Sequence, residues 1–278
     1  MDIKRVCGIY FSATGTTEKI IQVMASGLAD KLTPGEKAEF TDFTLPDSRN
    51  RDVTFNENDL VVIGTPTYAG RVPNVLLPYL KDRIHAEDAI AVPVVLYGNR
   101  NFDDSLLELA ELMRDNGAQI IAACAFIGEH SFSYKLAAGR PDEHDMRCAE
   151  DFVRKISDKV STCEHDVPEL SYPVQRGTPI RPYYTPRDRN GNSIDIRKVL
   201  PVTGPECDKC GICASVCPMG SIDKDDPAVL TGICIKCGAC VKKCPKKSKY
   251  FDDKNYLYHM HELEDMYTDT RKEPELFI

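Results

Sequence analysis

With 278 residues the chain is long enough for one large domain or two modest ones, and a hydrophobic share of 42% supplies a buried core, which excludes wholesale disorder. A formal net charge of −8 leaves no basic footprint for a polyanion, so a sequence-wide nucleic-acid binder is excluded. No apolar run approaches the about 20 residues of a membrane span, the opening Met1 to Arg5 lacks a cleavable leader pattern, and a cytoplasmic location is expected.

In chain order, residues 3–11 read as a strand and 17–30 carries the periodicity of an amphipathic helix. A shorter strand is expected at 37–43. Apolar runs at 59–65 and 90–97, rich in Val, read as strands followed by helices at 74–83 and 103–116. A fifth strand is expected at 119–127, and a last helix at 142–162 is opened by Pro141 and Asp142. Strands alternating with helices imply an α/β fold, a parallel sheet covered on both faces, and right-handed crossovers leave few doubly wound topologies.

The character changes after residue 165. Pro168, Pro173, Pro179, Pro182 and Pro186 interrupt any periodicity, and Arg189-Asn190-Gly191-Asn192 is a turn signal. The expected organisation is a domain at 1–165, an extended linker at 166–205, a cysteine-rich block at 206–250 and a tail at 251–278 with a helix near 256–267.

Of 12 cysteines, eight lie between Cys207 and Cys244. In a reducing compartment such density points to metal or redox chemistry rather than disulfides. Cys207-x2-Cys210-x2-Cys213-x3-Cys217-Pro218 recurs 27 residues later as Cys234-x2-Cys237-x2-Cys240-x3-Cys244-Pro245. The run is similar to that of bacterial two-cluster ferredoxins, in which three thiolates hold one cube and the fourth crosses to the other. That resemblance implies one [4Fe–4S] cluster on Cys207, Cys210, Cys213 and Cys244, and a second on Cys217, Cys234, Cys237 and Cys240. Zinc ribbons also repeat C-x2-C, but they need neither two full copies nor the Cys-Pro endings. Gly211 and Gly238 follow the second cysteine of each copy, where compact loops let backbone N–H groups approach sulfide.

Ser12-Ala13-Thr14-Gly15-Thr16-Thr17 links the first strand to its helix. Amides at a helix N-terminus, joined by several hydroxyls, make an anion site, although alone this loop reads as an ordinary cap. It lacks the lysine of a P-loop, and the chain has no G-x-G-x-x-G. Two further loops, 64–73 and 97–102, fall at carboxyl ends of strands, where doubly wound sheets bind ligands. The three loops together resemble the flavodoxin family. That resemblance implies a flavodoxin-like doubly wound five-stranded parallel sheet holding FMN. Ser12, Ala13, Thr14, Gly15, Thr16 and Thr17 would take the phosphate. Pro66, Thr67, Tyr68, Ala69 and Gly70 would border the ring's reactive edge, and Tyr97, Gly98, Asn99, Arg100, Asn101 and Phe102 its other side. Gly70 suits a loop whose peptide turns when the flavin N5 gains a proton. With no Trp in the chain, either Tyr68 or Phe102 stacks on the ring or one face is left open to a partner. Adding the small α+β ferredoxin-like block, the whole chain resembles the flavodoxin–ferredoxin fusion proteins of anaerobes.

Outside these motifs, Cys7 and Cys124 sit in apolar strand runs and read as inert core residues, while Cys148 and Cys163 lie on or near the last helix without a motif. His259 and His261 point to opposite sides of a helix. His130, Ser131 and Arg140-Pro141 belong to a loop at the ligand-bearing edge, for which a surface loop is the plainer reading and access to the flavin the sharper one. Lys242, Lys243, Lys246, Lys247 and Lys249 form either a solvated face or a docking patch for an acidic redox partner.

Clusters carry single electrons, whereas FMN holds one or two. The expected function is electron transfer between the two clusters and FMN, exchanged with redox partner proteins of the ferredoxin or flavodoxin level. The alternative is an FMN-dependent reductase of a small molecule, a quinone or unsaturated substrate, with its pocket lined from 128–141. A redox sensor or a module of a larger complex is the third reading. A homodimer is one way for the flavin of one chain to meet the clusters of another.

Overall fold

The computed structural model describes residues 2–163, 167–188 and 190–278. The expected boundary at residue 165, and Arg189 of the turn signal, lie outside the described residues.

The first part contains β1 (Arg5–Tyr10), α1 (Thr16–Leu32), β2 (Glu39–Asp42), β3 (Val53–Phe55), β4 (Asp59–Pro66), α2 (Leu77–Asp82), β5 (Ile84–Ala86), β6 (Ile90–Tyr97) and α3 (Ser105–Asp115). It continues with β7 (Gln119–Ile120), β8 (Ala123–Ile127) and α4 (Glu143–Thr162). Five parallel strands lie side by side as β2–β1–β4–β6–β8. Counted along the chain as first to fifth, that is the order 2-1-3-4-5, the flavodoxin-like doubly wound sheet. All eight residues of β6 are buried, as a strand covered on both faces requires. On one face α1 contributes Ile20, Ile21, Met24 and Leu28, and α4 contributes Phe152, Val153 and Ile156. The other face is covered by α2 and α3 through Leu80, Leu106, Leu109 and Met113. Asp142 caps α4 by accepting from the amides of His144 and Asp145, and Asp145 answers by accepting from the Asp142 amide.

The single strand expected at 119–127 is interrupted. β6 pairs with β7 through Ala91 and Ile120, and with β8 through Val94 and Cys124, so one extra residue lies on the outer side of the step. Pro93 sits opposite that step. It has no N–H to offer a ladder, and a bulge in the neighbour absorbs the gap.

The later part contains β9 (Val202–Thr203), α5 (Ile212–Ser215), α6 (Ala239–Lys242), β10 (Lys249–Tyr250), α7 (Lys254–Tyr267) and β11 (Glu275–Phe277). β9 and β10 pair antiparallel and close a small α+β unit around the cysteines. The tail does more than form a helix: β11 adds antiparallel to β8, pairing Leu276 with Cys124, and covers the edge of the large sheet. Among its described residues the linker forms regular structure only at β9, with an isolated bridge between Arg187 and Ser193, yet it is fastened along its length. The Leu170 amide donates to the Ile120 carbonyl at 2.6 Å, Arg114 donates to the Leu170 and Val174 carbonyls, and the Tyr184 amide donates to the Ala69 carbonyl at 2.8 Å.

Candidate cofactor site

Two hydrogen bonds of Ser12 fasten the loop between β1 and α1. The Ser12 amide donates to Thr44 Oγ1 at 2.8 Å, and Ser12 Oγ accepts from the Glu18 amide at 3.0 Å. Gly15 is the N-cap of α1 at φ 91° and offers no side-chain cap of its own. Ser12 Oγ takes the Glu18 amide, so of the first turn of this 17-residue helix the Thr16 and Thr17 amides are left for something else. Ala13, Thr14, Thr16 and Thr17 line a void of about 60 Å³ with Pro66, Thr67, Tyr68, Tyr97, Gly98, His130 and Cys237.

Thr67, Tyr68, Tyr97, Gly98, His130 and Ser131 also line a larger cavity of about 440 Å³. One wall is the loop after β4, with Thr67, Tyr68, Ala69 and Gly70, and the next is the loop after β6, with Tyr97, Gly98, Arg100 and Asn101. Ala69 and Gly70 have φ of 50° and 76°, and Tyr68 and Arg71 exchange backbone hydrogen bonds across them, a hairpin turn of the primed kind. Arg71 keeps this turn in place. Its guanidinium meets both carboxylate oxygens of buried Glu108, at 2.5 and 2.7 Å, and Glu108 also accepts from the Val72 amide.

Ser12 and Gly15 shape the first loop without lining either void, and Asn99 and Phe102 line neither. Asn99 has φ 62°, which turns its amide toward the tail, where it donates to the carbonyls of Tyr267 and Thr270. Phe102 lies behind Tyr97 at a centroid distance of 5.5 Å, so Tyr68 is the aromatic of the two on the wall.

The remaining walls come from residues the motifs did not single out. Tyr183 and Tyr184 of the linker and His259 of α7 cover the cavity, with Phe132 beside them. Tyr184 stacks on His259 at 6.2 Å and lies under the Arg100 guanidinium at 4.4 Å. His259 is buried and its Nδ1 has no hydrogen-bond partner. Burial pushes the His130 imidazole down to about 3, and its Nδ1 accepts from the Phe132 amide at 3.1 Å, so the neutral ring carries its proton on Nε2. The sequence signal for these residues was faint: the pair Tyr183-Tyr184 between prolines, and a histidine on an otherwise amphipathic helix.

The last wall is Ile233, Cys234, Ile235 and Lys236. The cysteines fall into two groups. Cys217, Cys234, Cys237 and Cys240 line one small void, and Cys207, Cys210, Cys213 and Cys244 line another. Backbone amides of Ser221, Lys236 and Ser248 donate to the sulfurs of Cys217, Cys234 and Cys244 at 3.3–3.4 Å. Among the described residues no three His, Cys, Asp or Glu side chains converge on a point that would hold a single metal ion. Four thiols ringing a void suit a cluster, in which each sulfur meets a different iron.

Cys7 and Cys124 are buried, and burial pushes the Cys7 thiol up to about 12. Cys148 lies 3.6 Å from His144 Nε2, the same nitrogen that meets Glu273 at 2.8 Å. Of the lysine run, Lys242 pairs with Glu129 at 2.8 Å and Lys249 is buried on the Pro227 carbonyl, leaving Lys243, Lys246 and Lys247 exposed.

Residues 206–249 match the family of the 4Fe-4S dicluster domain. No curated protein matches the chain. Among solved structures, a flavodoxin from the domain Archaea is 15% identical over 57% of this chain and 99% of its own, with a TM-score of 0.37. A flavodoxin of Streptococcus pneumonia is 19% identical over 55% and 98%, with a TM-score of 0.39. An NADH:FMN oxidoreductase in its apo form is 15% identical over 61% and 96%, with a TM-score of 0.38. The strand order and the matched segment define the class: a flavodoxin-like α/β fold joined in one chain to a 4Fe-4S dicluster domain. No helix among the described residues is long and apolar enough to cross a membrane.

Proposed function

We propose that this protein is an electron-transfer protein of the cytoplasm of an anaerobe, relaying electrons between two [4Fe–4S] clusters and FMN and exchanging them with carrier proteins. One observation carries the reading: a cavity of about 440 Å³ has the loops after β4 and β6 on one side and Cys234 on the other. Its volume is within the roughly 300–1,000 Å³ of cavities that enclose ligands of this size. The lining fits a flavin: planar aromatics at Tyr68, Tyr97 and Tyr184, no Asp or Glu among the described lining residues, and the His259 ring, whose Nδ1 makes no hydrogen bond and lies 3.8 Å from Glu262. The adjoining void supports a phosphate at Thr14, Thr16 and Thr17, where the free amides of α1 attract an anion. Glu129 borders that void, and its charge is answered by Lys242. The two groups of four cysteines support one cluster each. When bound, FMN supplies a change between one-electron and two-electron carriage. The chain's own residues fix its position, exclude water beneath Tyr183 and Tyr184, and bring thiolates to the same wall. All these walls belong to one chain, so the reading needs no homodimer to join the cofactors.

The cavity also favours a second reading, reduction of a small molecule such as a quinone at the flavin, because a space closed by aromatic side chains can select an occupant. Anaerobic rapid mixing of the reduced, cofactor-replete protein separates the two. Fast reoxidation by oxidised ferredoxin or flavodoxin, without saturable turnover of quinones, is the expected result. Saturable turnover of one small acceptor would make the protein a reductase, and a chain that retains no flavin would end both readings.

A further inference from the structure

The two cysteine loops are copies in sequence, but the fold surrounds them differently. Cys210, Gly211 and Ile212 of the first correspond to Cys237, Gly238 and Ala239 of the second. Both glycines sit in left-handed backbone, φ 77° at Gly211 and 75° at Gly238, so the loops share one local shape. Cys210 is exposed and Ile212 keeps 37% of its surface in solvent, whereas Cys237 and Ala239 are buried. A methyl group on Gly211 would meet nothing within 4 Å, while one on Gly238 would run into the Ser131 carbonyl. Cys234 stands on the wall shared with the loops after β4 and β6, and Cys207, Cys210, Cys213 and Cys244 do not.

Building on the electron-transfer reading above, we propose that the set Cys207, Cys210, Cys213 and Cys244 is the port through which the protein exchanges single electrons with an acidic carrier protein. The set around Cys237 is then the inner station, facing the flavin loops. Four exposed lysines flank the port: Lys209 beside Cys210, and Lys243, Lys246 and Lys247 around Cys244. Asp226 meets Lys209 at 3.6 Å and Asp208 meets Lys246 at 3.9 Å, whereas Lys243 and Lys247 have no ion-pair partner among the described residues. On a chain with net charge −8, the two unpaired lysines on either side of Cys244, together with an exposed Ile212 on the same cysteine set, favour a partner of opposite sign. In each encounter the carrier is oxidised by one electron and the port cluster reduced by one. Two encounters supply the two electrons that, with two protons from water, fully reduce one flavin.

The test mixes the cofactor-replete full chain anaerobically with a reduced two-[4Fe–4S] ferredoxin, following cluster and flavin absorbance separately. Ile212→Glu should slow the second-order reduction of the clusters at least about tenfold and raise the Kd for the ferredoxin to match, with the later unimolecular flavin step unchanged. Lys243→Glu with Lys247→Glu should also slow it and flatten its salt dependence, while Tyr172→Glu, exposed on the linker, should react like the parent. Parent rates in both port variants, or flavin bleaching ahead of the clusters, would overturn the port. Clusters that reduce normally beside a flavin that never changes would instead overturn the relay on which the port rests.

Discussion

A methyl group placed on Gly64 would lie 2.6 Å from Ile21 Cγ1 and 2.8 Å from Thr17 Cγ2. Those side chains seat the first turns of α1 on the sheet, and the amides of those turns face the void at Thr14. Gly64→Ala must therefore lift the anion-binding end of the helix. Overpacking of this kind costs about 1–3 kcal/mol. The expected outcome is a loss of stability in that range by chemical denaturation, together with FMN binding weakened at least about tenfold in a fluorescence titration; unaltered binding would show that the seat of α1 does not set the loop. His130 offers a pH test. Burial holds its folded-state pKa at about 3, below the ordinary 6.5, so the unfolded chain takes up a proton that the folded chain refuses. The stabilisation is complete above 6.5 and is lost as pH falls toward about 3. A His130→Gln variant should show a flatter stability profile across that interval in urea titrations.

Among the elements, the strap formed by 181–187 matters most to the cavity; beside the bonds of Tyr183 to the Val72 carbonyl and of Tyr184 to the Ala69 carbonyl, it is anchored at its start by one carboxylate. Asp104, at the N-cap of α3, accepts from the Arg181 amide at 2.7 Å and from its guanidinium at 2.5–3.1 Å. The Arg181 hydrogen bond is the chief reason its carboxyl lies below the ordinary 3.8. The anchor therefore holds above 3.8 and is lost as pH falls below it. Asp104→Asn should free the strap: amide exchange of the Tyr184 segment, measured by mass spectrometry at neutral pH, should rise at least about tenfold, and parent-like protection would locate the anchor elsewhere. The strap also marks where the sequence stops speaking. Main strands and helices were legible because apolar periodicity is a local property, and the repeated cysteine spacing was legible because each copy is local too. The break between β7 and β8 was hidden because it answers Pro93 on a neighbouring strand. The roles of Tyr183, Tyr184 and His259 were hidden because they depend on which loops the strap and α7 cross. Phe102, half-buried, packs against Tyr97 and does not line the cavity, a placement that its position in the loop does not reveal.

Over the whole molecule, the tail holds the loop after β6 to the rest. Asn99 donates to the carbonyls of Tyr267 and Thr270 at 2.8 and 2.7 Å, and Lys272 Nζ donates to the Arg100 carbonyl at 2.6 Å. Arg271 pairs with Asp142 at 2.8 Å, at the cap of α4. Deleting 271–278 should lower Tm by about 5 °C or more and weaken FMN binding, since it removes β11, the Lys272 anchor and the cap partner together. A truncated chain with parent Tm and affinity would show that the large sheet keeps its loops in order unaided.

The pairing of β11 with β8 also changes what the cysteine-rich segment is in the chain's topology. It is not a bead attached behind a finished domain but an insertion between two neighbouring strands of one sheet. A protein emerges from the ribosome from its N-terminus, so β8 waits with an open edge until the whole insertion has followed it out. A chain whose insertion is slow to compact cannot bring its closing strand home, and until then the uncovered edge of β8 is open to other chains. Supply of iron and sulfide during synthesis would thereby govern not only the clusters but how long a half-closed sheet is exposed to aggregation and proteolysis.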